Sequence, residues 1–371
     1  MERHRRIEIV LGAISPFLLL TLVYLLFYCC FRSGFARRRS RRRGSAECGG
    51  GGGGGGLGFS AAAAEGEAEE LVVFGGGEDL TVGAILEAPG EVVGKSSYGT
   101  LYRAGLQGMA TGSVVLLRFV RPACVGRTGE IMPTVRMLGS VRHPNLVPLR
   151  ALYAGPRGEK LFVHPFYAAG DLARFFRDGV AESQRWEIIR KLSLGIARGL
   201  DHLHTGLPKP IIHGNLKTNN ILLDSDLQPR LSDFGLHLIL NPTSGQEMLE
   251  ASAAQCYKAP ELIKMKDATK ESDIYSLGVV LLEMLTQKDP VSSDFLNSRD
   301  LCVPTTFKDL VLERKISDAF SSELITRSRS SGNGEGLLVF FQLCMACCSP
   351  SPALRPDIKS VLRKLEEIGR R

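Results

Sequence analysis

The sequence predicts an α+β domain of two lobes, preceded by a single transmembrane helix. Three features of its 371 residues support this. An apolar stretch without charges occupies residues 9–31, short strand-like runs begin at residue 71, and helical periodicity dominates beyond residue 185. A small strand-rich part followed by a larger helical part is typical of an α+β protein. With 44% hydrophobic and 23% charged residues, a wholly disordered chain is excluded.

The apolar stretch at 9–31 is predicted to be a membrane anchor. Its 23 residues are long enough, as a helix, to cross the ~30 Å hydrocarbon core of a bilayer. A cleaved signal peptide is the alternative, but its apolar core is about 7–15 residues long and ends at small side chains. This stretch ends in Tyr28, Cys29, Cys30 and Phe31, and arginines follow it.

The arginines predict the orientation of the anchor. Seven of them lie in residues 32–43, whereas three precede the apolar stretch. The positive-inside rule therefore places residues 32–371 in the cytoplasm and residues 1–8 outside it. We expect a single-pass membrane protein without an extracellular domain.

The basic residues also bear on binding partners. Residues 1–43 hold ten arginines and two glutamates, although the net charge of the whole chain is only +7. Because the remainder is nearly neutral, a nucleic-acid-binding face is disfavoured. The region from Arg37 to Arg43 is expected to lie against anionic lipid, although a stop-transfer signal alone would explain it. Cys29 and Cys30 are palmitoylation candidates, with a purely interfacial role as the alternative.

Residues 32–70 are predicted to form a juxtamembrane linker, and residues 71–371 a single domain. The linker is first basic and then rich in glycine, alanine and glutamate, so it buries little apolar area. Nine cysteines in a cytoplasmic chain do not indicate a disulfide framework. The cluster Cys344, Cys347 and Cys348 lacks a second C-x-x-C and is interpreted as buried thiols of a core helix rather than as a metal site.

Within the domain, alternation and periodicity predict the elements in order. The expected strands are Leu71–Phe74, Glu91–Gly94, Thr100–Ala104, Ser113–Val120 and Lys160–Val163. Apolar residues at helical spacing predict one amphipathic helix from Trp186 to Leu203 and one fully buried helix from Ile274 to Leu285.

Three ordered motifs in the helical part resemble the protein-kinase set H-R-D-L-K-x-x-N, D-F-G and A-P-E. They are His213 to Asn220, Asp233 to Gly235, and Ala259 to Glu261. The wording H-G-N-L-K-x-x-N is similar to plant leucine-rich-repeat receptor-like kinases, in particular to the transmembrane-kinase-like branch with degenerate kinase domains. Members of that branch carry extracellular repeats, which this sequence lacks. The resemblance implies a two-lobed protein-kinase-like fold at the plasma membrane.

The resemblance implies a nucleotide site in the first lobe. Gly94 and Gly99 match the ends of the Gly-rich loop, whose middle glycine is Ser96, and Arg118 replaces the lysine of V-A-I-K. The Pro165 carbonyl and the Tyr167 N–H are expected to meet adenine. His164, beside them, is expected to be packed and neutral rather than a pH sensor.

The partner of the V-A-I-K lysine is a helix glutamate in the family, and this sequence has Thr134 at that position. Glu130, one turn earlier, is a potential substitute, although Pro133 is expected to restrict the helix around it. Asn220 and Asp233 match the residues that hold Mg²⁺ with ATP. The alternative for both is a role in local hydrogen bonds.

The catalytic position shows the largest departure from the family. Asn215 stands where the family has its catalytic aspartate, and an amide cannot take a proton from a substrate hydroxyl. Lys217 is retained, whereas the arginine that meets activation-loop phosphate is Gly214. Structural residues are kept: Glu261 is expected to pair with Arg355, and Asp273 to begin the buried helix.

These matches predict a membrane-anchored pseudokinase that docks to other receptor-like kinases, and they leave open whether it still binds ATP with Mg²⁺. A weakly active serine/threonine kinase that uses ATP is the alternative, and a truncated gene product is a third interpretation. On the main hypothesis, Asp233→Asn should leave the fold without nucleotide nearly unchanged.

Overall fold

A six-stranded antiparallel sheet forms the first lobe. Its strands are β1 (Glu70–Val73), β2 (Gly90–Lys95), β3 (Gly99–Gly105), β4 (Val114–Val120), β5 (Ala151–Ala154) and β6 (Lys160–Pro165). Their spatial order is β1-β5-β6-β4-β3-β2. The computed structural model describes residues 67–106, 114–254, 256–263, 267–286 and 334–370. Five of the strands match the predicted runs, whereas β5 escaped prediction because all four of its residues are buried and show no alternation.

Strand alternation in β4 positions the cleft. Val115 and Leu117 belong to a small hydrophobic cluster on one face of the sheet. Leu116 and Arg118, the intervening residues, point to the opposite face, as successive side chains on a strand do. They pair in register with His164 and Phe162 of β6, so these four residues lie on the side of the sheet that faces the second lobe.

Two helices accompany the sheet, α1 (Val82–Leu86) and α2 (Thr128–Ser140). Helix α2 buries Ile131, Val135 and Leu138. It runs through Pro133, contrary to the expectation that this proline restricts the helix around Glu130. Pro133 is exposed and close to the helix start, so only one early backbone hydrogen bond is lost.

The second lobe is helical and carries a two-stranded ribbon. Its elements are α3 (Leu172–Arg177), α4 (Glu182–Thr205), β7 (Ile221–Leu223), β8 (Pro229–Leu231), α5 (Pro242–Ala254), α6 (Lys270–Thr286), α7 (Gly334–Cys347) and α8 (Ile358–Arg370). The predicted stripe on α4 is completely buried except for Trp186, which is partly buried, and twelve residues of α6 are buried, so both helices form the centre of the core.

The cysteines of α7 and of the residue after it pack in this core. Cys344, Cys347 and Cys348 are free and buried, and burial raises the pKa of each thiol. A side chain at Gly278 of α6 would lie 2.6 Å from Cys348 Sγ, so the two helices touch here. Across the described ranges, no group of three His, Cys, Asp or Glu side chains could hold a metal. Cys256, before the A-P-E motif, is in a disulfide bond.

The N-terminal boundary of the domain differs from the prediction. The linker was expected to reach residue 70, but Glu67 forms an ion pair with Lys160 at 2.7 Å, and Glu69 accepts a hydrogen bond from the Tyr153 hydroxyl at 3.0 Å. Residues 67–70 therefore belong to the first lobe. The predicted anchor at 9–31, with Cys29 and Cys30, lies outside the described residues, as does the Arg37–Arg43 region. In the part of the chain that the structure describes, no helix has the length and apolarity needed to cross a membrane.

Candidate active-site cleft

The Gly-rich segment forms a hairpin tip between β2 and β3. The Ser96 N–H donates to the Gly99 carbonyl at 2.9 Å, which closes the tip. A side chain at Gly99 would lie 2.1 Å from the Phe119 carbonyl, so this glycine is required by the sheet itself. At Gly94 a Cβ would meet only the Leu101 side chain at an ordinary 3.7 Å.

Arg118 contacts Asp233 directly. Its Nη2 lies 2.6 Å from Oδ1 and 2.7 Å from Oδ2, and the two side chains are 12% and 8% exposed. Burial alone would lower the pKa of Arg118, but the adjacent Asp233 charge raises it, so the guanidinium stays charged. Glu130 accepts a hydrogen bond from the Arg127 N–H at 3.1 Å instead. In the described ranges, neither Glu130 nor Thr134 has an ion pair or hydrogen bond with Arg118.

Two residues that sequence reasoning missed complete this part of the cleft. Tyr98, at the hairpin tip, is buried, and its hydroxyl accepts a hydrogen bond from Arg118 Nη1 at 3.5 Å. Leu116 is also buried and holds the position of the alanine in V-A-I-K. Aligning all four residues of that motif with Val115–Arg118, rather than its lysine alone, would have revealed the larger side chain.

The hinge keeps backbone groups that suit adenine. Pro165 ends β6, and among the described residues the Tyr167 N–H has no hydrogen bond. Arg230 stacks on the Tyr167 ring at 5.2 Å. The His164 ring donates a hydrogen bond from Nδ1 to the Pro148 carbonyl, at 3.1 Å. Burial, together with the Arg118 charge, lowers the pKa of His164 to about 4, so this histidine is neutral at physiological pH.

The position of the catalytic aspartate is closed by the chain itself. Asn215 is buried, and its Oδ1 accepts a hydrogen bond from the Ser252 hydroxyl at 2.8 Å. Ser252 lies on α5, a helix of the segment between the D-F-G and A-P-E motifs. The Asn215 carbonyl accepts a second bond, from Asn220 Nδ2, at 2.8 Å. A serine of the chain therefore occupies the place where a substrate hydroxyl would approach.

The retained lysine lies beside the Arg118–Asp233 pair. Burial is the main cause that lowers the pKa of Lys217; the Asp233 charge opposes this, and the Arg118 charge adds to it. Lys217 and Arg118 thus bring two cationic side chains to one carboxylate.

Below the cleft, Asp273 fixes the loop that carries Asn215. Its carboxylate accepts from the backbone N–H groups of His213 at 2.7 Å and Gly214 at 2.9 Å. A third hydrogen bond of 2.9 Å joins it to His204 Nε2. Gly214 has φ of +73°, and a side chain there would lie 2.5 Å from His237 Nδ1. The backbone conformation and the packing around residue 214 therefore leave no room for an arginine side chain.

Glu261 and Arg355 form a two-pronged ion pair. Arg355 Nη1 lies 2.6 Å from Oε1, and Nη2 lies 2.7 Å from Oε2. The remaining donors of Arg355 go to the carbonyls of Glu271, Ser349 and Pro350. Burial acts to raise the pKa of Glu261, but the bonds from Arg355 hold it below its ordinary value. The pair joins the A-P-E motif to the segment between α7 and α8.

The donor set does not fit a magnesium ion. Mg²⁺ needs carboxylate oxygens in near-octahedral geometry. Both oxygens of Asp233 already accept hydrogen bonds from Arg118, and the amide nitrogen of Asn220 is turned to a backbone carbonyl. Two neighbouring cations, Arg118 and Lys217, would repel a divalent ion.

Comparisons with known proteins agree with this geometry. The profile of the protein kinase domain family matches residues 89–364. A putative kinase-like protein, TMKL1 of Arabidopsis thaliana, is 39% identical over 82% of this chain and 45% of its own length. Other relatives in that plant include proteins named as probable inactive receptor kinases. The chain spans between 38% and 46% of the length of four curated relatives, of which two are named as inactive receptor kinases.

Two solved structures share the two-lobed architecture. The maize SIRK1 kinase domain bound to AMP-PNP is 27% identical, with a TM-score of 0.70 over 81% of this chain and 100% of that one. The pseudokinase domain of BIR2, described as an immune regulator of the RLK/Pelle family, is 27% identical. Its TM-score is 0.61 over 75% of this chain and 81% of that one.

Proposed function

The chain belongs to the protein kinase domain family, with plant receptor-like kinases among its relatives, and we propose that it is a membrane-anchored pseudokinase. It acts by docking to other receptor-like kinases rather than by transferring phosphate. The observation that carries the proposal is the buried Asn215 amide, whose oxygen accepts a hydrogen bond from Ser252 of the same chain.

Phosphoryl transfer in this fold depends on a carboxylate that orients the substrate hydroxyl and on metal ions at the phosphates. Asn215 is neutral at every physiological pH and cannot accept that proton. The loss of a general base alone lowers rates by roughly 10²–10⁴-fold. The Ser252 hydroxyl on Asn215 adds a second obstacle, because a substrate serine would have to displace it.

A docking role is supported by the parts of the domain that remain intact. Asp273 still binds the backbone of the loop that carries Asn215, and Arg355 still binds Glu261 of the A-P-E motif. Both segments of the second lobe are therefore held in place. Relatives named as inactive receptor kinases, and the BIR2 pseudokinase described as an immune regulator, suggest the same use of the fold. The hinge groups at Pro165 and Tyr167 allow weak binding of adenine nucleotide, which docking does not require.

The proposal includes the membrane arrangement expected from the sequence. A helix at 9–31 anchors the chain in the plasma membrane, residues 1–8 lie outside, and a linker from residue 32 leads to the cytoplasmic domain. Protease added to intact cells should leave a C-terminal tag untouched. Cleavage of that tag would reverse the topology.

Two assays on the full-length chain test the central proposal. Wild-type protein with ATP and Mg²⁺ should phosphorylate peptides and itself at background rates. It should nevertheless bind the kinase domain of at least one active receptor-like kinase from a panel, and Asn215→Ala should bind that domain equally well. Turnover at ordinary kinase rates, ~1–100 s⁻¹, would refute the proposal. Failure to bind any panel member would refute the docking role.

A weakly active serine/threonine kinase is the second candidate, because Lys217 and Asp233 are retained and lie together. It predicts that Asp233→Asn removes signalling while leaving partner binding intact. The docking proposal predicts instead that signalling is lost only where binding is lost.

A further inference from the structure

We propose that the Arg118 guanidinium takes the place at Asp233 that a divalent cation holds in a catalytic kinase. On this proposal the cleft of this chain binds no Mg²⁺, and the ion pair joins its two lobes without nucleotide. The inference rests on the proposed function, since a cleft that transfers phosphate needs metal ions at the phosphates.

The first argument is the direct competition for oxygen atoms. One nitrogen, Arg118 Nη2, lies within 2.7 Å of both Asp233 oxygens. A metal ion bound to both oxygens, about 2.0–2.1 Å from each, would need the position between them that the Arg118 nitrogen occupies. A metal ion bound to one oxygen would lie beside the guanidinium, where the two positive charges repel each other. Metal binding would therefore require Arg118 to leave a contact in which both side chains are nearly buried.

The second argument is charge. Asp233 contributes one negative charge, and Arg118 with Lys217 contributes two positive charges around it. Tyr98, His164 and His213, which also lie beside this cluster, add no negative charge at neutral pH. Because a guanidinium is never deprotonated in proteins, the cation at position 118 cannot be switched off as a lysine can. A divalent ion would enter a site that is already positive.

The third argument is the second metal position. Asn220 donates from Nδ2 to the backbone carbonyl of Asn215 at 2.8 Å. The backbone carbonyl of Asn220 accepts hydrogen bonds from the N–H and the hydroxyl of Ser232, so of its oxygens the side-chain Oδ1 remains. One amide oxygen is left, and a single neutral oxygen is a poor site for Mg²⁺. Asn220 thus serves the loop that carries Asn215.

The position of the pair gives it a structural consequence. Arg118 lies on β4 of the first lobe, and Asp233 follows β8 of the second. Asp233 has φ of +63°, a left-handed conformation that costs energy in a residue other than glycine. The hydrogen bonds from Arg118 to both carboxylate oxygens offset part of that energetic cost. The lobes are thus held together by an internal cation where a catalytic kinase uses a metal–nucleotide complex.

The test uses Mn²⁺ as the probe, because its free-ion electron paramagnetic resonance signal disappears on binding. The signal is titrated with full-length wild-type protein, with and without ATP, and with three variants. Arg118→Ala frees the carboxylate, Arg118→Ala with Asp233→Asn removes it again, and Arg121→Ala is the matched control. Arg121 is the next arginine along the chain, and its side chain donates to the Ser96 carbonyl at 3.3 Å and not to Asp233.

Wild type and Arg121→Ala should leave the signal of free Mn²⁺ as it is without protein, and with ATP they should bind no more Mn²⁺ than the double variant does. Arg118→Ala should gain Mn²⁺ binding by roughly tenfold or more, as changes beside a metal ligand commonly produce. The double variant should lose it. Circular dichroism at the same temperature checks that each variant is folded.

Two results would overturn the inference. One is Mn²⁺ binding by wild type that the double variant, Arg118→Ala with Asp233→Asn, does not show. The other is a folded Arg118→Ala variant that gains no Mn²⁺ binding, since Arg118 would then not be what excludes the ion. A wild type that binds Mn²⁺ yet transfers no phosphate would refute this inference and leave the proposed function standing.

Discussion

Two buried arginines hold carboxylates at the same distances in different ways. Arg355 meets Glu261 through two nitrogens, at 2.6 and 2.7 Å, and its other donors reach three backbone carbonyls. Arg118 meets Asp233 at 2.6 and 2.7 Å through a single nitrogen, with only a 3.5 Å contact to Tyr98 besides. The first site uses the planar fork that only arginine has, whereas the second needs little more than a positive charge.

The two pairs also differ in what their residues do in the family. Glu261 belongs to the A-P-E motif, whose role is structural, and this chain keeps its pairing. Asp233 belongs to the D-F-G motif, whose aspartate serves metal binding, and this chain turns it to an internal cation. The region that supports the shape of the domain is thus preserved, and the region that supports chemistry has been reused for stability.

The largest expected effect is that of Arg355→Ala. Removal of one partner of a buried ion pair costs about 3–5 kcal/mol, because the other charge stays buried without compensation. Arg118→Ala should cost less, about 1–3 kcal/mol, because the Lys217 charge still partly compensates that of Asp233. Chemical unfolding of both variants measures the difference. An equal or larger loss for Arg118→Ala would remove the distinction between the two sites.

Asp233→Asn tests the same cleft ion pair by changing its acidic residue. The sequence led us to expect no change in the fold without nucleotide, but the structure makes Asp233 the counter-ion of Arg118. The variant should therefore lose about 1–3 kcal/mol as well. Unchanged stability would show that the cleft pair contributes nothing.

A third ion pair joins Glu67 to the buried Lys160, and we expect it to contribute about as much to stability as the cleft pair. Lys160 is fully buried, and Glu67 also accepts hydrogen bonds from the backbone and the hydroxyl of Thr128 at the start of α2. Glu67→Gln should lower the free energy of unfolding by about 1–3 kcal/mol at neutral pH, because Lys160 loses its counter-ion. The exposed neighbour Glu70→Gln, with no such contact, should change it by less than about 0.5 kcal/mol.

The pH dependence of that difference identifies the carboxylate. Burial acts to raise the pKa of Glu67, but the bonds from Lys160 and Thr128 prevail and hold it at about 2, below the ordinary 4.5. A depressed pKa stabilises the fold above pH 4.5 and loses this contribution as pH falls from 4.5 toward 2. The gap between wild type and Glu67→Gln in urea unfolding should therefore shrink over this range. A constant gap would assign the effect to packing.

Lysine substitutions give a smaller and more discriminating effect. Arg355→Lys should cost about 1–3 kcal/mol, because an ammonium has three donors and leaves carbonyl or carboxylate oxygens unsatisfied. Arg118→Lys should cost less than about 1 kcal/mol, because one nitrogen already makes both contacts with Asp233. Thermal unfolding of the two lysine variants measures the difference between these losses. Equal losses would mean that the fork geometry matters at neither site or at both.

The sequence predicted much of the fold because local patterns carried it. Five strands, the buried stripe of α4 and the buried α6 follow from periodicity alone. Helix α5 was not predicted, because its apolar residues are sparse and a proline stands at its start. The linker boundary was placed too late, because Glu67 and Glu69 look like solvent-exposed residues until the partners at Lys160 and Tyr153 are known.

The site was predicted residue by residue but not as a set of contacts. The sequence identified Arg118, Asn215 and Asp233 as positions of chemical interest. It did not reveal that Arg118 would turn to Asp233, 115 residues away, once Thr134 offered no carboxylate. Nor did it reveal the bond between Asn215 and Ser252, since Ser252 belongs to no motif. Contacts of this kind depend on the topology that brings distant segments together.

The smallest expected effect is that of Asn215→Asp on phosphate transfer. The change restores the residue type of a general base, which is worth roughly 10²–10⁴-fold where everything else is in place. Here the Ser252 hydroxyl can donate to the new carboxylate as it does to the amide, so the acceptor position stays filled. Arg118 still holds Asp233, so no metal reaches the phosphates. We expect a gain of less than about tenfold over wild type in radiolabelled peptide assays, with Asn215→Ala as the control. A single substitution that raised turnover to ~1–100 s⁻¹ would show that the cleft is functional apart from its base. Arg118 would then have to leave Asp233 when nucleotide binds. The two arginines would differ in how readily each leaves its carboxylate, and not in whether each stabilises the fold.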